Sequence, residues 1–223
     1  MVSEKGGDYQ VDSLLEVKVW GDFACFTRPE MKVERVSYPL ITPSAARGVL
    51  EAIFWKPEFR WQVREIWALK PINYFSMVRN EVSSKVAVSS VRKWAGESGG
   101  YFVEDDRTQR HTLGLRDVAY VIRAEQVLSA HAEDLPIAKY RDQFRRRVAN
   151  GRCFYRPYLG CREFSANFSP VGPGDRPILH SEKLGRMLFD LNYDADESGR
   201  GTPVFFQAEL LDGVLKVPPE LYA

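Results

Sequence analysis

The sequence predicts an α+β fold in which two helices interrupt a series of strands, and three observations carry that reading. Several stretches alternate apolar with polar residues, the mark of a half-buried strand. Two others place apolar residues at helical spacing behind a proline-marked start. The signals follow one another as strand, helix, strand, strand, helix, strand.

In the first strand Leu15, Val17 and Val19 alternate with Glu16, Lys18 and Trp20. Gly21-Asp22 is expected to interrupt it, and an aromatic segment with Phe23 and Phe26 then enters a loop over 28–38. Thr42 as N-cap and Pro43 in the first turn open a helix. Ala46, Val49, Leu50, Ile53 and Phe54 form its stripe, and Pro57 stops it. Phe59, Trp61, Val63, Trp67 and Leu69 share one parity, broken only by Glu65, and predict a second strand. Residues 71–112 are irregular, with Arg79, Lys85, Arg92, Lys93, three glycines and the acidic run Glu104-Asp105-Asp106, and read as an inserted hairpin or mobile loop.

A third strand, rich in Val, Ile and Tyr, is expected from Leu113 to Leu128. Asp134 and Pro136 open the second helix, whose inner stripe is Ile137, Tyr140 or Arg141, Phe144 and Val148; Asn150-Gly151 supplies a left-handed cap. A fourth strand is expected near Arg162 to Phe168, with Phe164, Ala166 and Phe168 on one face. The remainder begins with a Gly/Pro loop, then a strand around Met187 to Tyr193 and a polar turn from Asp194 to Thr202. A hairpin closes it, pairing Phe205–Leu211 with Val214–Val217 across Asp212-Gly213, a type I′ turn signal. This order is the ferredoxin-like (RRM-like) βαββαβ arrangement. Residues 1–168 are expected to form that domain, with the insertion at about 71–112, and residues 169–223 a small C-terminal antiparallel β-sheet.

A formal net charge of +1 in 223 residues excludes a strong overall attraction to phosphate, so any nucleic-acid contact must rest on local patches. The three cysteines, Cys25, Cys153 and Cys161, form no C-x-x-C pair, which fits a reducing cytoplasm better than a disulfide framework. His111, His131 and His180 lie near none of them at ligand spacing, and no phosphate-binding glycine motif is present, so neither a metal nor a cofactor is expected. No apolar run approaches the roughly 20 residues that span a bilayer. Met1 to Gln10 is polar, without the apolar stretch of a secretory signal, so no membrane is expected as a partner.

The second helix is the most informative element. Lys139, Arg141, Arg145, Arg146 and Arg147 stand against one carboxylate, Asp142, and Lys139, Gln143 and Arg146 share a face. Such a face can neutralise phosphates, or it can be a solvated helix whose terminal cations suit the dipole. Tyr140 is either a core residue on the inner stripe or a proton carrier beside the Lys139 cation. His111, in the tract that holds Arg107 and Arg110, is a general acid or base, a phosphate contact, or an exposed loop residue. Lys32 and Arg35 offer two cations after the first strand, a weak sign of RNA-backbone contact.

Four segments go further: Trp20 to Pro29 (WGDFACFTRP), Thr42 to Pro57 (TPSAARGVLEAIFWKP), Arg79 to Lys85 (RNEVSSK) and Leu159 to Phe164 (LGCREF). In that order, over nearly the whole chain, they resemble the fifth family of CRISPR-associated (Cas) proteins in its subtype I-C form. The resemblance implies a RAMP-superfamily protein with a ferredoxin-like domain and a small C-terminal sheet. It implies an endoribonuclease that cuts CRISPR repeat RNA at the base of its hairpin without a metal. The 2′-hydroxyl attacks the neighbouring phosphate and leaves a 2′,3′-cyclic phosphate. The product crRNA stays bound by its 5′ handle within Cascade, alongside the backbone and large subunits.

The family's catalytic set is a tyrosine near the end of the first helix and a Lys-His pair early in the second. Phe54 occupies the first position and Lys139-Tyr140 the pair. The resemblance therefore assigns Lys139 to electrostatic stabilisation, Tyr140 to acid or base work, and Phe54 to lining the site. RNA contact is expected, from the local basic patches, at Lys32, Arg35, Arg47, Arg107, Arg110, His111, Arg145, Arg146 and Arg147. Two alternatives need no cleavage: a weak or inactive subunit that binds the crRNA handle, and a scaffold whose basic helix docks a protein.

Overall fold

The computed structural model describes residues 14–97, 99–193, 199 and 201–222. Met1 to Gln10 and most of the polar turn after Tyr193 (residues 194–198 and 200) lie outside the described residues. The strands are β1 (Leu15–Ala24), β2 (Arg35–Val36), β3 (Phe59–Ala68), β4 (Tyr74–Val82), β5 (Arg107–Leu128), β6 (Asn167–Ser169), β7 (Glu182–Asn192), β8 (Thr202–Leu211) and β9 (Val214–Lys216). The helices are α1 (Pro43–Ile53), α2 (Val88–Gly96) and α3 (Ile137–Ala149). The protein is thus a mixed α/β structure with few helices and a largely antiparallel sheet.

Hydrogen bonding runs through the sheet in the order β6-β1-β5-β3-β9-β8-β7. Antiparallel pairs join β1 to β5, β3 to β5 and β1 to β6. The short β2 pairs parallel with β5 at Thr112 and Leu113. Antiparallel pairing of β9 with β3, from Glu65↔Lys216 to Trp67↔Val214, carries the C-terminal strands into the same sheet.

Local chemistry accounts for the helix ends. The Thr42 hydroxyl accepts the Ala45 N–H at 3.2 Å, satisfying one of the amides that a helix start leaves without a partner. Helix α1 stops three residues short of Pro57's neighbour Lys56, at Ile53, because Phe54 turns to an extended backbone. Its stripe of Ala46, Val49, Leu50 and Ile53 is buried. Helix α3 buries Tyr140, Phe144 and Val148, so Tyr140 and not Arg141 belongs to the inner stripe. It ends as its sequence predicts, with Gly151 at φ +62.

Five expectations change. Strand β1 runs unbroken through Gly21, which pairs with Val118. A side chain there would meet Leu159 Cδ1 at 2.9 Å and the Ser165 carbonyl at 3.1 Å, so the glycine serves a close approach and not a turn. Strand β3 bulges between Val63 and Glu65, which moves burial from the Trp67 parity to Ile66 and Ala68. The insertion takes the hairpin form of its two expected readings, and what changes is the start of β5: β4 pairs with its first half from Tyr74↔Leu115 to Val82↔Arg107, so β5 begins six residues before Leu113. Helix α2, with no buried residue, lies within this hairpin; lacking a core stripe, it carried no helical periodicity in its sequence. The fourth strand shrinks to β6, because Leu159 and Phe164 close a tight loop through the Leu159 N–H to Phe164 carbonyl bond (2.8 Å). Only Ala166 of its three expected face residues is buried.

Toward the C-terminus, β7 begins five residues before Met187. Asp212 (φ 47) and Gly213 (φ 75) give the paired positive angles of a type I′ turn. No helix among the described residues is long and apolar enough to cross a membrane.

Two substitutions test this account of the fold. Thr42→Ala should lower the unfolding free energy by about 1 kcal/mol through the lost cap. Phe144→Ala, which empties a fully buried position, should cost about 3–5 kcal/mol. Denaturant unfolding followed by circular dichroism measures both, and equal losses would contradict the assignment of Phe144 to the core.

Candidate functional site

The candidate residues gather where the end of α1, the start of β3 and α3 meet. The Phe54 ring lies 5.5 Å from Phe59, and Phe59 lies 5.4 Å from Tyr140, centroid to centroid. Trp61 presents an edge to Phe144 at 4.8 Å, and its indole N–H donates to the Phe54 carbonyl at 2.9 Å. Phe54 and Tyr140 are therefore both packed against Phe59, and Lys139 stands outside them with Nζ 5.6 Å from the Tyr140 ring.

Tyr140 is 4% exposed and forms part of the hydrophobic core. Burial, followed by the Glu58 carboxylate beside it, raises its phenol above the ordinary tyrosine value. The group holds its proton near neutrality and can donate one, but it cannot serve as a base there. Glu58, in the turn between α1 and β3, is a residue that sequence reasoning passed over; nothing in its spacing marks it.

The outer face of α3 leads from Lys139 through Gln143 to Arg146, about 10 Å along the helix axis. At its far end a groove of about 700 Å³ is lined by Gln143, Arg146, Arg147, Asn150 and Arg152, with no carboxylate among its described lining residues. The three consecutive arginines point to different partners. Arg145 pairs with Asp142 at 3.2 Å, Arg146 faces the groove, and Arg147 also turns inward. Arg147 Nη1 donates to the Ile53 carbonyl at 3.0 Å and its guanidinium lies 5.2 Å from the Phe54 ring centroid. Sequence reasoning also passed over Phe154 and Tyr155, exposed aromatics just beyond the groove.

The remaining candidates stand elsewhere. Arg35 pairs with Glu81 at 3.3 Å and Glu163 at 3.5 Å and donates to Cys161 Sγ at 3.6 Å. Arg47 ties α1 to β7 through Asp190 at 2.8 Å, with Glu51 at 3.8 Å. Arg107 pairs with Glu104 at 3.4 Å and Arg110 with Glu34 at 3.8 Å; the His111 backbone N–H donates to Glu34 as well. Lys32 is exposed in the turn before β2. His111 and the Leu128 end of β5, which leads toward α3, are on the order of 50 Å apart along the strand. The structure does not bring His111, Arg107 or Arg110 to Lys139. Among the described residues no group of three or more His, Cys, Asp or Glu side chains is placed to hold a metal ion.

Comparison with known proteins agrees with this chain's motifs. Residues 14–218 match the family described as CRISPR-associated protein (Cas_Cas5), in its Cas_Cas5d form. A protein of Thermus thermophilus named CRISPR pre-crRNA endoribonuclease Cas5d is 48% identical, over 93% of this chain and 93% of its own. One of Mannheimia succiniciproducens with the same name is 46% identical, over 92% and 95%. Among solved structures, a crystal structure of a CRISPR-associated protein superposes with a TM-score of 0.66 at 21% identity, covering 93% of both chains, and supports the fold.

The inward turn of Arg147 predicts a separation of roles within the basic run. Arg147→Ala should lower the unfolding free energy by about 1–3 kcal/mol, since it strands the Ile53 carbonyl. Arg146→Ala should stay within about 0.5 kcal/mol of the parent. Equal stabilities in denaturant titrations would remove Arg147 from the packing of α1 on α3.

Proposed function

The chain belongs to the Cas5d form of the CRISPR-associated Cas5 family, and from that premise we propose that it is an endoribonuclease that cuts CRISPR repeat RNA at the base of its hairpin. Relatives named for that activity share nearly half of its residues over more than nine-tenths of its length. The observation that carries the reading within the chain is the α3 face: Lys139 leads into an arginine groove without a carboxylate. An acidic polymer laid along that face meets a cation at one end and a group of arginines at the other.

In the step itself the 2′-hydroxyl attacks the adjacent phosphorus and the bond to the 5′ oxygen breaks. The proton lost by the 2′-hydroxyl balances the one taken by the leaving oxygen, so a 2′,3′-cyclic phosphate and a 5′-hydroxyl result without water being consumed. Lys139 offsets the charge that develops on the phosphoryl oxygens. Tyr140, which retains its proton, is the donor to the leaving oxygen. Phe54 lines the floor and transfers no proton.

The chain then keeps the 5′ handle as a subunit of type I-C Cascade in the cytoplasm, beside the backbone and large subunits. The strand order β6-β1-β5-β3, with α1 and α3 as its two connections, supports a ferredoxin-like unit up to residue 168. Residues 169–223 are the added antiparallel part. A second reading, handle binding without cleavage, is favoured by the burial of Tyr140 and by the absence of an ionisable group at Phe54.

Incubating the purified protein with its repeat RNA in EDTA separates the two. Cleavage to cyclic-phosphate and 5′-hydroxyl ends, blocked by a 2′-deoxy group at the scissile nucleotide, is the expected result. Intact RNA with binding preserved would select the handle-binding reading. Lys139→Ala should slow cleavage by about 10²–10³, and Tyr140→Phe by about a hundredfold or more. An unchanged rate in either variant would remove that residue from the mechanism.

A further inference from the structure

Phe154 and Tyr155 stand out of the protein at 79% and 47% exposure, beside the arginine groove. Their backbone is anchored. Both backbone N–H groups donate to the Ala52 carbonyl at the end of α1, at 2.8 and 3.2 Å. The preceding Arg152 N–H donates to the Arg147 carbonyl at 2.9 Å, and Gly151 adopts φ +62. The backbone of the segment is thus held at the ends of both helices.

The two rings meet at 71° with centroids 5.8 Å apart, a T-shaped pair in which no single planar partner can lie flat against both. Each ring is left to take its own partner. On the groove side they adjoin Arg146 and Arg152, with no carboxylate among the groove's described lining residues; Glu51 and Arg162 lie on the other side, both close enough to act on the Tyr155 phenol. Exposed aromatic faces next to unopposed arginines are the combination by which proteins hold single-stranded RNA, the rings stacking bases and the cations meeting phosphates. A protein partner of mixed charge would find no anion in this groove to meet its own cations.

We propose that Phe154 and Tyr155 form a stacking subsite for unpaired bases flanking the hairpin of the repeat RNA, with Arg146 and Arg152 contacting the phosphates between them. The inference rests on the RNA-binding reading above and extends it, because it adds a determinant for the unpaired flank to a site otherwise described by its cations. It also gives a use to the two turns of α3 that separate the groove from Lys139 on the same face: a strand anchored on the rings passes along the helix to the lysine.

The test uses the full-length protein and repeat RNA made uncleavable by a 2′-deoxy group, with and without its single-stranded flanks. The F154A/Y155A variant should bind the flanked RNA about tenfold or more weakly, with its salt slope unchanged, because stacking releases no counterions. It should bind the flankless hairpin as the parent does. The R146Q/R152Q variant should flatten the salt slope by about 1.4, as expected for two lost single-strand phosphate contacts. Because the rings are exposed, thermal unfolding of F154A/Y155A should match the parent, and Y155F should retain affinity. Unchanged affinity for flanked RNA, or an equal loss on both RNAs, would overturn the stacking subsite while leaving the cleavage reading intact. Unchanged RNA affinity with lost assembly would assign the rings to a protein interface instead. Parent protein that binds neither RNA would overturn the RNA reading itself.

Discussion

Helix α1 ends on three successive carbonyls that each find a different partner. Ala52 accepts the N–H groups of Phe154 and Tyr155, Ile53 accepts the Arg147 guanidinium, and Phe54 accepts the Trp61 indole. A helix end leaves its last carbonyls without intrahelical donors, and in a buried setting each must be satisfied. Here the donors come from the far segment after α3, from α3 itself and from β3. These bonds tie the end of α1 to α3, to the segment after it and to β3, the elements that meet at the candidate site.

That arrangement explains the surroundings of Tyr140. Its ring packs on Phe59, which packs on Phe54, so it is part of the core that carries α3. The same burial, with Glu58 alongside, keeps its phenol protonated. A phenol in these surroundings keeps its proton near neutrality. A histidine can move between donor and acceptor near neutrality; a buried tyrosine cannot.

Electrostatics divides the molecule in a way that its net charge conceals. Arg35, Arg47, Arg107 and Arg110 each face carboxylates and knit neighbouring segments together. Exposed pairs of this kind contribute little to stability. Their consequence is to quench positive potential over much of the surface. The groove at the end of α3, lined by arginines with no carboxylate among its described residues, stands out against that background.

Period-two and helical patterning in the sequence were enough to place β1, α1, β3 and α3, because each buries one face and so must carry an apolar stripe. Thr42, Gly151 and the Asp212-Gly213 turn were legible for a related reason: their conformations restrict which residues fit. The motifs from Trp20 to Phe164 likewise identified the family. What the sequence could not display depends on partners distant along the chain. Helix α2 has no buried stripe, and the bulge at Val63 reverses which face of β3 is inside. The pairing of β9 with β3 depends on residues about 150 positions apart. Within the site, three adjacent arginines look alike as letters, and only the fold turns one to a carboxylate, one to the groove and one to a backbone carbonyl. Composition sets what a residue can do, whereas the direction it faces is decided by long-range packing that brings α1, β3 and α3 together.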